Sequence, residues 1–154
     1  MGLDTTHNAW HGSYGYFYAW RVNIAKFAGY PPLELMEGYY SEDHHNMFTL
    51  LDHTYTKEDL IVSSIHRMRE TLPIKWNSLK PNPLNELLYH SDCDGYISYG
   101  KCGKIAKELE KVYENLPEET EEEFSFPHSL RRRTRQFIDG LNLAYKNKEK
   151  LIFH

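Results

Sequence analysis

The chain has 154 residues, about the length of one domain, and carries 18 basic and 22 acidic residues for a formal net charge of −4. This balance argues against a general nucleic-acid binder, and no stretch reaches the roughly 18 apolar residues of a membrane span. The N-terminus lacks the order of a signal peptide and two cysteines are too few for a disulfide scaffold, so we expect one cytoplasmic domain, residues 1–154, with reduced thiols.

The first helix is predicted over about residues 13–28. Ser13 can cap its start, and Gly29, followed by two prolines, ends it. Residues 30–55 are expected to form loops with short helices, and the next helix runs from about Thr56 to Thr71. The apolar side chains that recur at helical spacing on the first helix are Phe17, Trp20, Ile24 and Phe27.

A helix–loop–helix is predicted around residues 85–115. A short helix from Asn85 to His90 precedes a loop that reaches Gly100, and a longer helix follows to about Asn115. The apolar face of the longer helix consists of Cys102, Ile105, Ala106, Leu109, Val112 and Leu116.

The last part of the chain is predicted to be a surface loop, a helix and a strand. Residues 114–123 carry six Glu, which is typical of a solvated loop. The ending LIFH can pair as a strand with Gly2–Thr5, so the sequence predicts a mainly α fold, a single compact helical domain with a minimal two-stranded β element at the termini. The last helix begins near Pro127 or Ser129, and its apolar face consists of Leu130, Thr134, Phe137, Ile138, Leu141 and Tyr145.

The loop HSDCDGYISYGK can be aligned with a calcium-binding EF loop, with Gly95 at the sharp turn. His90 stands where an oxygen ligand is needed and Lys101 where a bidentate Glu is needed, so ordinary calcium binding is not expected. Two interpretations stay open. In the first, Asp92 and Asp94 hydrogen-bond local backbone N–H groups while Gly95 takes a positive φ. Alternatively, His90, Asp92 and Asp94 contribute to a site for a polar ligand or a transition metal such as Zn, Mn or Fe.

His7 and His11 lie four residues apart, the spacing of two metal ligands on one helix face. A zinc site needs three or four ligands, so the others would come from the loop at His90 or from His44 and His45. Without them, the pair forms hydrogen bonds, or one imidazole acts as a general base because it titrates near neutral pH.

Two groups of side chains suit a ligand with an aromatic ring and a phosphate. Tyr14, Tyr18 and Arg21 share one side of the first helix, where a tyrosine ring can stack on a base and an arginine can bind phosphate. The second group is the run RRRTR, whose candidate ligand contacts are Arg131, Arg132 and Arg135. Each group also has a structural interpretation. The first can be a tyrosine-rich core with a snorkelling arginine, and the arginines of the second can be neutralised by the preceding glutamates.

The segments MGLDTTHNAWHGSY, HSDCDG and TRQFIDGLNLAYKNKEKLIFH together resemble a family of small uncharacterised proteins of bacteria and their phages. Members share a DTTH-x-x-WHG-x-Y start, an HSDCDG loop and a basic-to-aromatic helical ending, and the family has no established activity. Lys101 departs from the acidic residue that the family often has near the end of this loop, which argues against a metal there. The resemblance implies functional roles for His7, Trp10, His11, Tyr14, His90, Asp92 and Asp94.

Three functions are consistent with these patterns. Since the chain lacks the phosphate-binding and nucleophile motifs of common enzymes, we first expect a binding protein for a small anionic, nucleotide-derived ligand. Such a protein could be a homodimer and a phage sponge that sequesters a host defence signal. Its ligand-binding residues would be His7, Trp10, His11, Tyr14, Arg21, Arg131, Arg132 and Arg135.

The alternative is a metal-dependent hydrolase with a divalent metal, Zn or Mn, and an activated water. Its candidate residues are the two N-terminal histidines with His90, Asp92 and Asp94. The third function is inhibition of a partner protein, with surface tyrosines as anchors.

Overall fold

The computed structural model describes residues 2–40, 73–118 and 130–154. Contacts group the chain into two units, Met1–Arg21 with Asn82–His154, and Val22–Pro81. The predicted mainly α fold class is confirmed: helices predominate, and the β structure of the described residues consists of two two-stranded sheets.

Helix α1 spans Tyr14–Phe27 and confirms the first predicted helix to within one residue at each end. The hydroxyl of Ser13 accepts a hydrogen bond from the backbone N of Tyr16 at 3.2 Å, which is the predicted N-cap. Gly29 takes a φ of 79° and ends the helix, because glycine enters the left-handed region without a Cβ clash. The predicted apolar face is buried at Phe17, Trp20 and Ile24.

Helix α2 spans Leu84–Tyr89 and helix α3 spans Tyr99–Glu114, so the predicted helix–loop–helix is confirmed. All six residues of the predicted apolar face of the longer helix are buried. Between the helices, Gly95 takes a φ of 91°, the positive value expected there. An added Cβ at this position would lie 3.3 Å from Cε1 of His90, so the contact also favours glycine.

Helix α4 spans Leu130–Asn147 and follows residues outside the described part of the chain, which include most of the acidic run and the predicted helix start. Five of the six predicted apolar residues are buried. The exception is Tyr145, which is 53% exposed, with its ring packed against Gly103 of α3. Helix α4 also approaches the N-terminal segment closely, since a Cβ added at Gly140 would lie 2.7 Å from Cα of Ala9.

The short strands tie the two chain ends together. Strand β1, Gly2–Asp4, pairs antiparallel with β2, His11–Ser13, and β3, Tyr96–Ile97, pairs antiparallel with β4, Leu151–Ile152. The backbones of Asp4 and His154 exchange two hydrogen bonds of 2.9 Å next to a bridge between Thr5 and Phe153. The predicted pairing of the termini therefore forms as a bridge, and the sequence did not predict β2 or β3.

The core of the first unit is aromatic. Trp20 packs against Phe137 with ring centroids 4.8 Å apart, and Trp10 meets the edge of Phe17 at 5.1 Å. The indole Nε1 of Trp20 donates to Oγ1 of Thr134 at 2.9 Å, so this buried polar atom is satisfied. Aromatic pairs of this kind each add about 0.5–1.5 kcal/mol beyond the burial of their area.

The second unit is described over residues 22–40 and 73–81. A 3-10 turn at Leu33–Leu35 leads into a parallel bridge between Met36 and Ile74, and a second 3-10 turn spans Trp76–Ser78. The helix predicted from Thr56, most of residues 30–55, and His44 and His45 lie outside the described residues.

Candidate functional site

A pocket of about 820 Å³ lies in the first unit, where the 3-10 turn Thr6–Asn8 meets the C-terminal end of α3 and one face of α4. Its volume falls within the range of about 300–1,000 Å³ that is typical of small-molecule sites. The pocket brings together four residues that the sequence proposed for an anionic ligand: His7, Arg131, Arg132 and Arg135.

Arg131 caps the C-terminal end of α3. Its Nη1 donates to the carbonyl oxygens of Leu116 at 2.9 Å and Tyr113 at 3.3 Å, and its guanidinium lies 4.4 Å from the centre of the Tyr113 ring. A cation at a helix C-terminus is favourable because the last carbonyl groups carry partial negative charge. Among the described residues, Nε and Nη2 of Arg131 have no hydrogen-bond partner.

Arg135 is held by carboxylates. Its Nη1 donates to Oε2 of Glu110 at 3.1 Å, its Nη2 bonds the other oxygen of the same carboxylate, and its Nε donates to Asp139 at 3.3 Å. The hydrogen bond to Glu110 raises the pKa of the guanidinium, opposed by burial. Arg135 therefore forms the wall of the pocket between α3 and α4, with its charge locally balanced.

The turn at the pocket rim holds two non-glycine residues in the left-handed region, His7 with φ 60° and Asn8 with φ 54°. Such conformations cost about 1–3 kcal/mol each, although histidine and asparagine enter this region more readily than most residues. They persist where the surroundings fix the backbone. The turn is therefore a strained element that its contacts must hold.

Those contacts come from distant parts of the chain. The His7 ring bonds Oε2 of Glu149 through Nε2 at 2.6 Å and Oγ1 of Thr6 through Nδ1 at 3.0 Å. Gln136 donates from Nε2 to the carbonyl of Asn8 at 2.9 Å. Both ring nitrogens of His7 are engaged, so this histidine joins the turn to Glu149 near the C-terminal end of the chain.

The other residues proposed for ligand binding do not line the pocket. Trp10 is 1% exposed among Phe17 and Trp20, so its ring offers no face for stacking on a ligand. Arg21 is 2% exposed and donates to the carbonyl of His90 at 2.7 Å, so it supports the following loop. The remaining two are His11, whose side chain is 80% exposed and bonds Asp4, and Tyr14, which is partly exposed.

His90, Asp92 and Asp94 do not converge as metal ligands. Among the described residues, no group of three or more His, Cys, Asp and Glu side chains is arranged to hold a metal ion. The His90 ring stacks on Phe153 at 4.2 Å, and its two nitrogens face the carbonyl oxygens of Ser91 and Tyr96. These contacts give His90 a structural role in the loop and in packing against Phe153.

Sequence reasoning missed several pocket residues. Tyr113, Gln136, Asp139 and Gly140 line the pocket, but each fits an ordinary helix position in the sequence. The available signal was helical spacing: Gln136 and Asp139 follow Arg132 at intervals of four and three on α4, which places all three on one face.

Comparison of the chain with models of protein families gave no match, and comparisons with curated proteins and with solved structures gave none either. In the described part of the chain, no helix combines the length and apolar character needed to span a membrane.

Proposed function

We propose that this protein binds a small anionic ligand in the pocket between α3, α4 and the Thr6–Asn8 turn. The observation that carries the proposal is the convergence of three arginines, Arg131, Arg132 and Arg135, on one pocket of about 820 Å³. Guanidinium groups recognise phosphate and carboxylate with two parallel hydrogen bonds, so the lining chemistry suits an oxyanion.

The arginines of the pocket differ in whether carboxylates neutralise their charge. Arg135 is balanced by two carboxylates, whereas Arg131 bonds only carbonyl groups among the described residues. The acidic lining residues Glu118 and Asp139 restrict where an anion can sit. We therefore place the anionic group at Arg131, and Arg132 is the other arginine of the lining that the experiment below tests.

A nucleotide-derived molecule is the ligand class we propose to test first. The pocket volume accommodates a compound of that size, and Tyr113 supplies an aromatic ring beside the guanidinium groups. Sequestration of such a molecule, as a phage sponge does, would need binding alone. The proposal includes no catalytic step.

The test is isothermal titration calorimetry with AMP and with pyrophosphate at two salt concentrations. We expect saturable binding that weakens with salt, because exposed charges are screened. Arg132→Ala should weaken binding about tenfold, as expected for a lost charged hydrogen bond, and Arg131→Gln should do the same while keeping an N–H donor for the α3 carbonyls.

Lys107→Ala is the matched control, because Lys107 is an exposed cation of α3 outside the pocket lining. It should change the affinity by less than the experimental error. If neither probe binds saturably, or if Lys107→Ala weakens binding as much as Arg132→Ala, the proposed pocket is not the binding site.

A further inference from the structure

The three tryptophans differ in what their indole N–H groups contact. Nε1 of Trp20 donates to Thr134 and Nε1 of Trp76 donates to the carbonyl of Glu37, each at 2.9 Å. Trp10 is 1% exposed, and its Nε1 has no hydrogen-bond partner among the described residues. Since buried N–H groups are nearly always hydrogen-bonded, Trp10 presents a donor that an added acceptor would satisfy.

Arg133 lies beside this donor. Its guanidinium carbon is 5.1 Å from the centre of the Trp10 ring, and its Nη1 donates to the carbonyl of His11 at 2.7 Å. This is the one hydrogen bond of Arg133 within the described residues. The partly exposed guanidinium therefore has N–H groups left for a further acceptor.

Gly12 lies close to both donors. A Cβ added there would lie 3.5 Å from Nε1 of Trp10 and 3.9 Å from both Nη1 and Nη2 of Arg133. Three N–H-bearing nitrogens thus surround the space in front of the Gly12 backbone, and any side chain at this position would occupy it. We call this group of Gly12, Trp10 and Arg133 the Gly12 cradle.

We propose that the Gly12 cradle binds one oxyanion group, a carboxylate or a phosphate. The three atoms nearest to the position all belong to N–H donors, so an acceptor is favoured and a cation is not. None of the three residues lines the pocket of the proposed function, so this inference does not depend on that proposal. Each residue of the motif WHG then has a role: Trp10 supplies an indole donor, the carbonyl of His11 orients the arginine, and Gly12 leaves space because it has no side chain.

The experiment follows the indole N–H signals of the full chain by ¹H–¹⁵N NMR during titration with inorganic phosphate and with acetate. Trp10→Phe assigns the Trp10 signal. We expect this signal to shift saturably with at least one anion, while the signals of Trp20 and Trp76 stay in place because their donors already have partners. Arg133→Gln should weaken the apparent affinity about tenfold or more.

Two results would overturn the proposal. The first is a Trp10 signal that does not shift saturably with either anion, which would leave water as the acceptor. The second is a saturable shift that is unchanged in Arg133→Gln, because the anion would then bind elsewhere. Arg132→Ala should leave the Trp10 titration unchanged, which separates this site from the pocket.

Discussion

Two histidine-containing loops of the first unit, residues 5–12 and 90–95, have similar polar composition but use it differently. In the second loop, the His90 ring faces the carbonyls of Ser91 and Tyr96, and Ser91 Oγ accepts from the Cys93 backbone at 3.3 Å. These partners lie within six residues, so the His90 and Ser91 side chains bond locally. Two carbonyl groups of the loop accept from farther away: His90 from Arg21 at 2.7 Å and Gly95 from the backbone N of Phe153 at 2.9 Å.

The first loop bonds residues more than 120 positions away. Oγ1 of Thr6 accepts from the backbone N of Ile152 at 2.9 Å, His7 bonds Glu149, and Asn8 accepts from Gln136. This loop holds the chain ends together and forms the rim of the pocket. The difference teaches that residue type alone does not define the role of a loop, because similar polar side chains bond locally in one loop and to residues more than 120 positions away in the other.

The largest expected effect comes from Gly140→Ala, which forces α4 away from the first loop. The new Cβ would lie 2.7 Å from Cα of Ala9, so backbone must move, and we expect a loss of about 3 kcal/mol in the free energy of unfolding. Urea denaturation measures it. Gly100→Ala, with nothing within 4 Å of its added Cβ, is the control and should be neutral or stabilising. Equal losses in the two variants would contradict the close approach.

Arg21→Met should have the next largest effect. It leaves the carbonyls of Leu88 and His90 without the guanidinium that bonds them, and we expect a loss of about 2 kcal/mol in the free energy of unfolding. Because Arg21 lies outside the pocket lining, the affinity for pyrophosphate should not change. A variant of unchanged stability with weakened pyrophosphate binding would restore Arg21 to the ligand-binding residues.

The helices were largely predictable because their signals are local. Ser13 caps α1, Gly95 takes its positive φ, and the apolar spacing of α3 identified its buried face. The site was predicted only in part. The arginine run was visible as an anionic-ligand candidate, but which arginine faces the pocket and which faces Trp10 depends on the rotation of α4 in the fold.

Long-range contacts explain the rest. Trp10 is buried against Phe17 and Trp20 of α1 with Arg133 of α4 beside its ring, which no spacing in MGLDTTHNAWHG encodes. Likewise, the partners of His7 and Asn8 lie near the other end of the chain, so the strained turn could not be expected. The family resemblance, the homodimer and the role as a sponge stay predictions.

Gly95→Ala tests the second loop by itself. We expect a loss of about 1–2 kcal/mol, because alanine is disfavoured at a φ of 91° and its Cβ would press on His90. Gly38 has the same φ of 91° with nothing within 4 Å of an added Cβ, so Gly38→Ala measures the conformational cost alone. A larger loss for Gly95→Ala, read from urea denaturation, isolates the contact with His90; equal losses would show that this contact does not constrain the loop.

The smallest effect concerns the two thiols on either side of β3. Cys93 is exposed in the loop, whereas Cys102 is fully buried on α3 and donates from Sγ to the carbonyl of Ile97 at 3.6 Å. We expect the Cys93 thiol to react quickly with a disulfide reagent at pH 8 and the Cys102 thiol to react only after unfolding. Cys93→Ser should abolish the fast phase; a fast phase that persists would contradict the burial of Cys102.

The same burial predicts a direction for the pH dependence. Burial raises the pKa of the Cys102 thiol from 9.0 to about 11, so the folded state holds this proton more tightly than the unfolded chain. The stability contributed by this difference is complete below pH 9 and is lost as the pH rises toward 11. Cys102→Ala should flatten that part of the stability profile relative to Cys93→Ser, because Cys102 is buried in the folded state and Cys93 is exposed. If both variants keep the same slope between pH 9 and 11, another group causes the alkaline loss.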